Sequence, residues 1–215
     1  MMEASWVRGV SFVLFAYFLG SVPFGILVTR LFDRSIDLRS VGSGNIGATN
    51  VARAAGKAAG ILTLLLDAGK GIFAMALANI FVGEQSDLWL ALVGGASFLG
   101  HVFPVYLTFR GGKGVATALG IVLFLSPVTA FILVVLFSLV VYFTRYVSLG
   151  SLSAAVALPP MMALLATSRH YVTLSLGMMF LVLFTHRENI RRLLAGQETK
   201  IGAPKGAPAG DDSLT

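Results

Sequence analysis

The residues with the most chemistry in them lie in a short polar break, VGSGNIGATN, from Val41 to Asn50, with Arg53 and Lys57 just beyond. Asx and hydroxyl side chains offer local hydrogen bonds, and glycine lets a backbone bend close to a ligand. Oriented backbone N–H groups beside a cation form a concavity suited to phosphate. In that reading Ser43, Gly44, Asn45, Thr49 and Asn50 surround the anion and Arg53 supplies charge. A glycine-rich turn that merely joins two helices is the plainer alternative. GSGNIG also has the glycine spacing of a dinucleotide fingerprint, with Asp67 twenty residues beyond Gly47. That motif needs a preceding strand and a soluble strand–helix–strand unit, and neither fits here.

Three later breaks carry a similar mixture. RGGKG, from Arg110 to Gly114, places Lys113 between glycines at the start of an apolar run. It lacks the spaced glycines and the Ser or Thr after lysine that define a P-loop. N–H groups from Gly111, Gly112 and Gly114 at a helix start could still hold an anion, with Lys113 as the charge. Simple anchoring of a membrane helix needs no glycine, and glycine there costs about 1 kcal/mol per residue relative to alanine. RYVS contributes Ser148. HREN contributes His186, as a base, a donor or a cap, and Asn189, as a neutral donor. Arg191 and Arg192 read as helix-end anchors, with Glu188 paired to one of them.

These breaks punctuate a chain that is 56% hydrophobic and 12% charged over 215 residues, which excludes an ordinary soluble domain. Membrane-length apolar runs are expected at 10–32, 58–82, 88–109, 115–125, 128–144, 149–167 and 171–185. The fourth would be only about 16 Å long, so 115–144 is either one helix kinked at Ser126-Pro127 or two helices turning there. Charge decides for two. The basic residues at Arg30–Lys57, Arg110–Lys113, Arg145 and Arg187–Arg192 then share one side, leaving Arg8 and Arg169 with Glu3, Glu84 and Asp87 opposite. The expectation is an all-α integral membrane protein with seven transmembrane helices, amino terminus outside and carboxyl terminus cytoplasmic. Residues 1–195 would form the membrane domain and 196–215, rich in Gly, Pro and Ala, a disordered cytoplasmic tail without catalytic work. The opening run lacks a small-residue cleavage site and reads as a retained span.

The net charge of +6 follows from this sidedness and calls for no nucleic-acid partner. The absence of cysteine removes disulfides, thiolate metal sites and cysteine nucleophiles. Acidic residues are too scattered for a metal cluster, and no cofactor is expected. Asp67 and Lys70, one turn apart within a span, should pair with each other, as a brace or as a ligand. His101 reads as a hydrogen-bonded core histidine, and Gly20, Ser21, Gly25, Gly94, Gly95 and Gly100 as helix-packing faces.

Taken in order, VGSGNIGATN, FRGGKGVAT, RYVSL and THRENIRRLLAG closely resemble the bacterial acyl-phosphate-dependent glycerol-3-phosphate acyltransferases, the PlsY family, from the first span to about Gly196. The resemblance implies transfer of a fatty acyl group from acyl phosphate to the 1-hydroxyl of glycerol 3-phosphate, the first step of phospholipid synthesis. It also implies residence in the inner membrane with the active face cytoplasmic, and is compatible with delivery of acyl phosphate by a soluble enzyme. None of the three histidines has Asp five positions on, so the His-x-x-x-x-Asp pair of other glycerolipid acyltransferases is absent. A mixed anhydride has a good leaving group, so positioning and charge stabilisation suffice. On this footing Lys113, Ser43 and Ser148 would stabilise the acyl phosphate and the developing oxyanion. Arg53, Thr49, Asn45 and Asn189 would grip glycerol phosphate, with His186 as a positioning donor. A transporter of an organic phosphate is the competing class, but no internal repeat is visible and the polar clusters lie at one face.

Overall fold

The structure, a computed structural model, describes residues 2–82, 86–166 and 168–202. Among the described residues ten α-helices follow one another: α1 (Met2–Ser21), α2 (Phe24–Phe32), α3 (Ala48–Ala55), α4 (Lys57–Val82), α5 (Ser86–Val102), α6 (Val115–Leu125), α7 (Pro127–Thr144), α8 (Val147–Leu165), α9 (Arg169–Thr185) and α10 (Arg187–Leu194). Helix is the expected outcome for long apolar runs in hydrocarbon, because each backbone N–H and C=O must be satisfied within its own segment. Among the described residues five stretches are long and apolar enough to cross a membrane. α6 and α9 are shorter apolar helices. The chain is an all-helical, multi-pass integral membrane protein. Its lipid-facing side chains stay uncovered, as Phe131, Tyr142 and Phe143 on α7 show.

Several boundaries differ from the expected spans for local reasons. The first apolar run is not one helix: Pro23 has no N–H to continue the ladder, and the chain bends there between α1 and α2. Between residues 115 and 144 there are two helices. Ser126 leaves the helical conformation, its Oγ accepts from the Thr129 N–H at 3.4 Å, and Pro127 opens α7. Thr49, Asn50 and Arg53 lie on a short helix, α3, rather than in a loop.

Small residues set the close approaches. A Cβ on Gly20 would strike the Ser97 backbone, and one on Gly100 the Tyr17 carbonyl, so α1 and α5 touch backbone to backbone. Gly120 does the same for α6 against the Ala68 carbonyl of α4. α4, α5 and α6 thus form a tight inner layer, with Phe98, Met75 and Ile121 fully buried in it.

Candidate active site

Four of the helices begin at the polar breaks seen in the sequence: α3 after Gly47, α6 after Gly114, α8 after Tyr146 and α10 after His186. None of these starts has a side-chain cap. Uncapped first turns leave N–H groups and positive dipole ends available to an anion.

Three of the breaks meet directly. Lys113 Nζ donates to Asn189 Oδ1 in a short contact. Asn189 Nδ2 donates in turn to Glu198 Oε1 at 2.7 Å, and Ser148 Oγ donates to the same oxygen at 2.8 Å. Arg192 Nε closes the network on Glu198 Oε2 at 2.7 Å. The first break joins from the side, where Arg39 Nη2 donates to the Arg110 carbonyl and the charge of Arg53 reaches Lys113.

Electrostatics sharpen the arrangement. Desolvation lowers the Lys113 ammonium to about 8; Arg192 and Arg53 push the same way, while Glu198 opposes them. Desolvation and then Lys113 lower His186 to about 4, so its ring is neutral at physiological pH. His186 Nδ1 lies 2.9 Å from the Val182 carbonyl, which can only accept. The proton therefore sits on Nδ1 and Nε2 carries the lone pair. A neutral ring in this tautomer offers Nε2 as an acceptor, the base-like member of the roles expected for His186. Burial raises the Glu198 carboxyl, but donors from Asn189, Arg192 and Ser148 outweigh it and hold the group below the usual range.

The other expected site residues divide. Ser43 and Thr49 are exposed, and Gly44, Asn45 and Arg53 half-buried. Asn50 is buried, and its Nδ2 serves the carbonyls of Asn45 at 2.8 Å, Val41 at 3.0 Å and Leu38 at 3.2 Å. Its Oδ1 accepts from the Ser43 N–H at 3.1 Å. With its polar atoms committed, Asn50 shapes the loop rather than holding a ligand. Gly44, in the left-handed region at φ 65°, gives that loop its turn.

Gly111 and Gly112 are committed within the fold in the same way. Their N–H groups donate to the carbonyls of Val102 and His101, both at 3.1 Å, and leave nothing for an anion. They are glycines because a Cβ on either would collide with the end of α5. Gly114, at φ 81°, does open an uncapped helix, where a Cβ would meet the Phe98 ring.

Two members of the network were not expected from the sequence. Arg192 was assigned to anchoring, whereas only Arg191 pairs with Glu188, at 3.2 Å. Glu198 falls in the stretch expected to be a disordered tail. Residues 196–202 instead pack on the membrane domain: the Ile201 N–H donates to the Arg145 carbonyl at 2.7 Å, and Arg145 Nη2 to the Ile201 carbonyl at 3.2 Å. Their Gly-rich composition concealed a buried carboxylate that three donors require. Residues 203–215 lie outside the described residues.

Desolvated cations and amide donors, gathered at the starts of membrane helices, define a membrane protein built to handle phosphate-bearing anions. Comparison with known proteins narrows this class. The family described as glycerol-3-phosphate acyltransferase matches residues 10–196. The glycerol-3-phosphate acyltransferase of Dinoroseobacter shibae is 49% identical over 192 residues, covering 89% of this chain and 92% of that one. That of Geobacter sulfurreducens is 46% identical over 188 residues, covering 87% and 95%. The crystal structure of PlsY, an integral membrane glycerol 3-phosphate acyltransferase in its glycerol 3-phosphate form, superposes with a TM-score of 0.85 at 41% identity, covering 90% of this chain and 96% of that one. Its lysophosphatidic acid form gives 0.83 at 39% identity, covering 90% and 95%. The chain belongs to the glycerol-3-phosphate acyltransferase family, and it is an acyltransferase.

Proposed function

We propose that this enzyme transfers a fatty acyl group from acyl phosphate to the 1-hydroxyl of glycerol 3-phosphate, giving lysophosphatidic acid and inorganic phosphate. The hydroxyl oxygen attacks the acyl carbonyl carbon, and the bond from that carbon to the phosphate oxygen breaks. Inorganic phosphate leaves with the electron pair, and the hydroxyl proton passes to a phosphate oxygen of glycerol 3-phosphate. The observation that carries this reading is the meeting of Lys113, Asn189 and Ser148 in one network beside neutral His186. With two phosphates to hold, the site works through charge and orientation, which suits an already activated donor.

In this reading Lys113 and Ser43 stabilise the acyl phosphate and the oxyanion, while Ser148, whose one hydroxyl hydrogen goes to Glu198, fixes the carboxylate that orients Asn189. Arg53, Thr49, Asn45 and Asn189 grip glycerol phosphate, and the N–H groups after Gly114 add the dipole of α6. His186 Nε2 accepts from the other free hydroxyl of glycerol 3-phosphate and so fixes the direction of attack. The membrane is the bacterial inner membrane, crossed seven times, with the amino terminus outside and the site and carboxyl end cytoplasmic. A soluble enzyme that forms acyl phosphate is then the supplier on that side.

Donor choice is the direct test. Purified protein mixed with palmitoyl phosphate and glycerol 3-phosphate should form lysophosphatidate, and palmitoyl-CoA in its place should give little or none. Efficient turnover of the thioester would overturn the assignment of the donor.

A pH profile tests the role of Lys113. Its ammonium is fully charged well below about 8 and is lost as pH rises through that value. kcat/KM should therefore be flat near neutrality and fall about tenfold per pH unit on the alkaline side. Bound phosphate stabilises the charged form, so the limb in kcat should lie higher than that in kcat/KM. Lys113→Arg, which does not lose its charge in this range, should abolish the alkaline limb while lowering the plateau. A limb unchanged by that substitution would belong to another group.

A further inference from the structure

One buried cluster plays no part in the chemistry above. Asp67 and Lys70 on α4 lie 2.8 Å apart, both almost wholly excluded from the surface. Charge holds them together rather than an aligned hydrogen bond, since Asp67 Oδ1 has no well-directed donor. His101 on α5 brings Nδ1 within 3.5 Å of the same oxygen and within 3.1 Å of Thr117 Oγ1 on α6. Lys70 Nζ donates to the Val22 carbonyl at 3.1 Å, at the Pro23 break between α1 and α2, with the Phe24 ring 5.7 Å away. Four helical elements thus converge on three titratable side chains.

The cluster's location makes it more than a brace. His101 forms the seat of the glycine turn that carries Lys113: its carbonyl takes the Gly112 N–H, and its ring fills the space where a Cβ on Gly112 would stand. Gly112 immediately precedes Lys113. At the other end, the break that Lys70 pins leads within three residues to Gly25, whose Cα lies against the Ile46 carbonyl of the first polar loop. A narrow crevice lined by Ser21, Pro23, Gly25, Ile46, Asp67 and His101 runs from the cluster to the first polar loop. A pair that only neutralised charge inside a bundle would need neither connection.

We propose that Asp67, Lys70 and His101 are positioning residues for acyl transfer. They set the height and tilt of the turn bearing Lys113 and tie that turn to the loop of Ser43 to Asn50. The proposal rests on the assignment of Lys113 and that loop to the site. None of the three touches substrate. Each acts through a backbone whose displacement by about 1 Å would cost about a hundredfold in rate.

The test uses the full chain in detergent, with kcat and the KM for glycerol 3-phosphate measured separately and rates normalised to folded protein by its thermal transition. His101→Leu and Asp67→Asn are expected to lower kcat ten- to hundredfold with KM within about threefold, as a misplaced catalytic group would. His101→Asn, whose amide can replace Nδ1 toward Thr117, should recover most of the loss. Should His101→Leu fail to fold, Gly112→Ala presses on the same contact from the turn and should show the same loss in kcat. Parental kcat in the variants that fold, loss that vanishes on normalisation, or no recovery in His101→Asn would each overturn the proposal. Lys113→Ala, run in parallel, separates the two claims. Full activity there removes the site assignment itself, whereas an inactive Lys113→Ala beside a normal His101→Leu removes only the positioning role.

Discussion

Lys113→Ala should lower kcat/KM by about 10²–10³-fold, the scale seen when one preorganised donor to a developing oxyanion is removed. Lys113 concentrates several roles in one atom. Its Nζ is partly desolvated, it holds Asn189 by its carbonyl oxygen, and it stands within electrostatic reach of Arg53, Arg192 and Glu198. Removing the ammonium takes away the charge and also frees the Asn189 amide, so binding and chemistry should both suffer. Stability should change little, because the side chain is half-buried at a helix start and occupies no part of the apolar core. Kinetics with palmitoyl phosphate and glycerol 3-phosphate, beside a thermal melt in the same detergent, separate the two effects. A variant within threefold of the parent would show that Lys113 is not the phosphate-binding charge.

Truncation is expected to give an equally sharp result at the carboxyl end. A chain ending at Ala195 should lose nearly all activity, whereas one ending at Gly202 should keep it. The difference lies in Glu198, which accepts from Ser148, Asn189 and Arg192 at once. Without the carboxylate, Ser148 and Asn189 lose the partner that orients them, and Arg192 is left without its counter-charge beside Lys113. Glu198→Ala should also destabilise the fold by about 1.5–3 kcal/mol, the range for a hydrogen bond to a charged group. Glu198→Gln keeps an acceptor oxygen but removes the charge, so it should fall between the two in activity and stability. Activity retained in the chain ending at Ala195 would show that the network does not need this residue. The clasp between Arg145 and Ile201 explains why the cut point matters, since it fixes the segment that carries Glu198.

The sequence by itself determined the class of this protein. Apolar runs long enough to cross hydrocarbon leave helix as the only economical backbone. The four polar breaks were equally visible, because cations, amides and hydroxyls gather in them between apolar segments. Lys113, Asn189 and Ser148 stood out residue by residue, and the structure brings them into one hydrogen-bond network. The pairing of Asp67 with Lys70 was legible for the same reason, being set by one helical turn.

Only the tertiary structure decided which polar groups were already committed. Asn50, Gly111 and Gly112 have the right types for binding an anion, yet their polar groups are taken by nearby backbone. Local pattern does not reveal such internal use, since the acceptors lie on segments five to twelve residues away in sequence. Glu198 shows the converse. It is a lone carboxylate in a stretch rich in polar and small residues, and it gains its importance from Ser148, fifty positions earlier in the chain. Periodicity reports which face a helix buries; it cannot report which distant donors a loop residue will meet. Where long-range contacts close the site, the fold alone assigns the work.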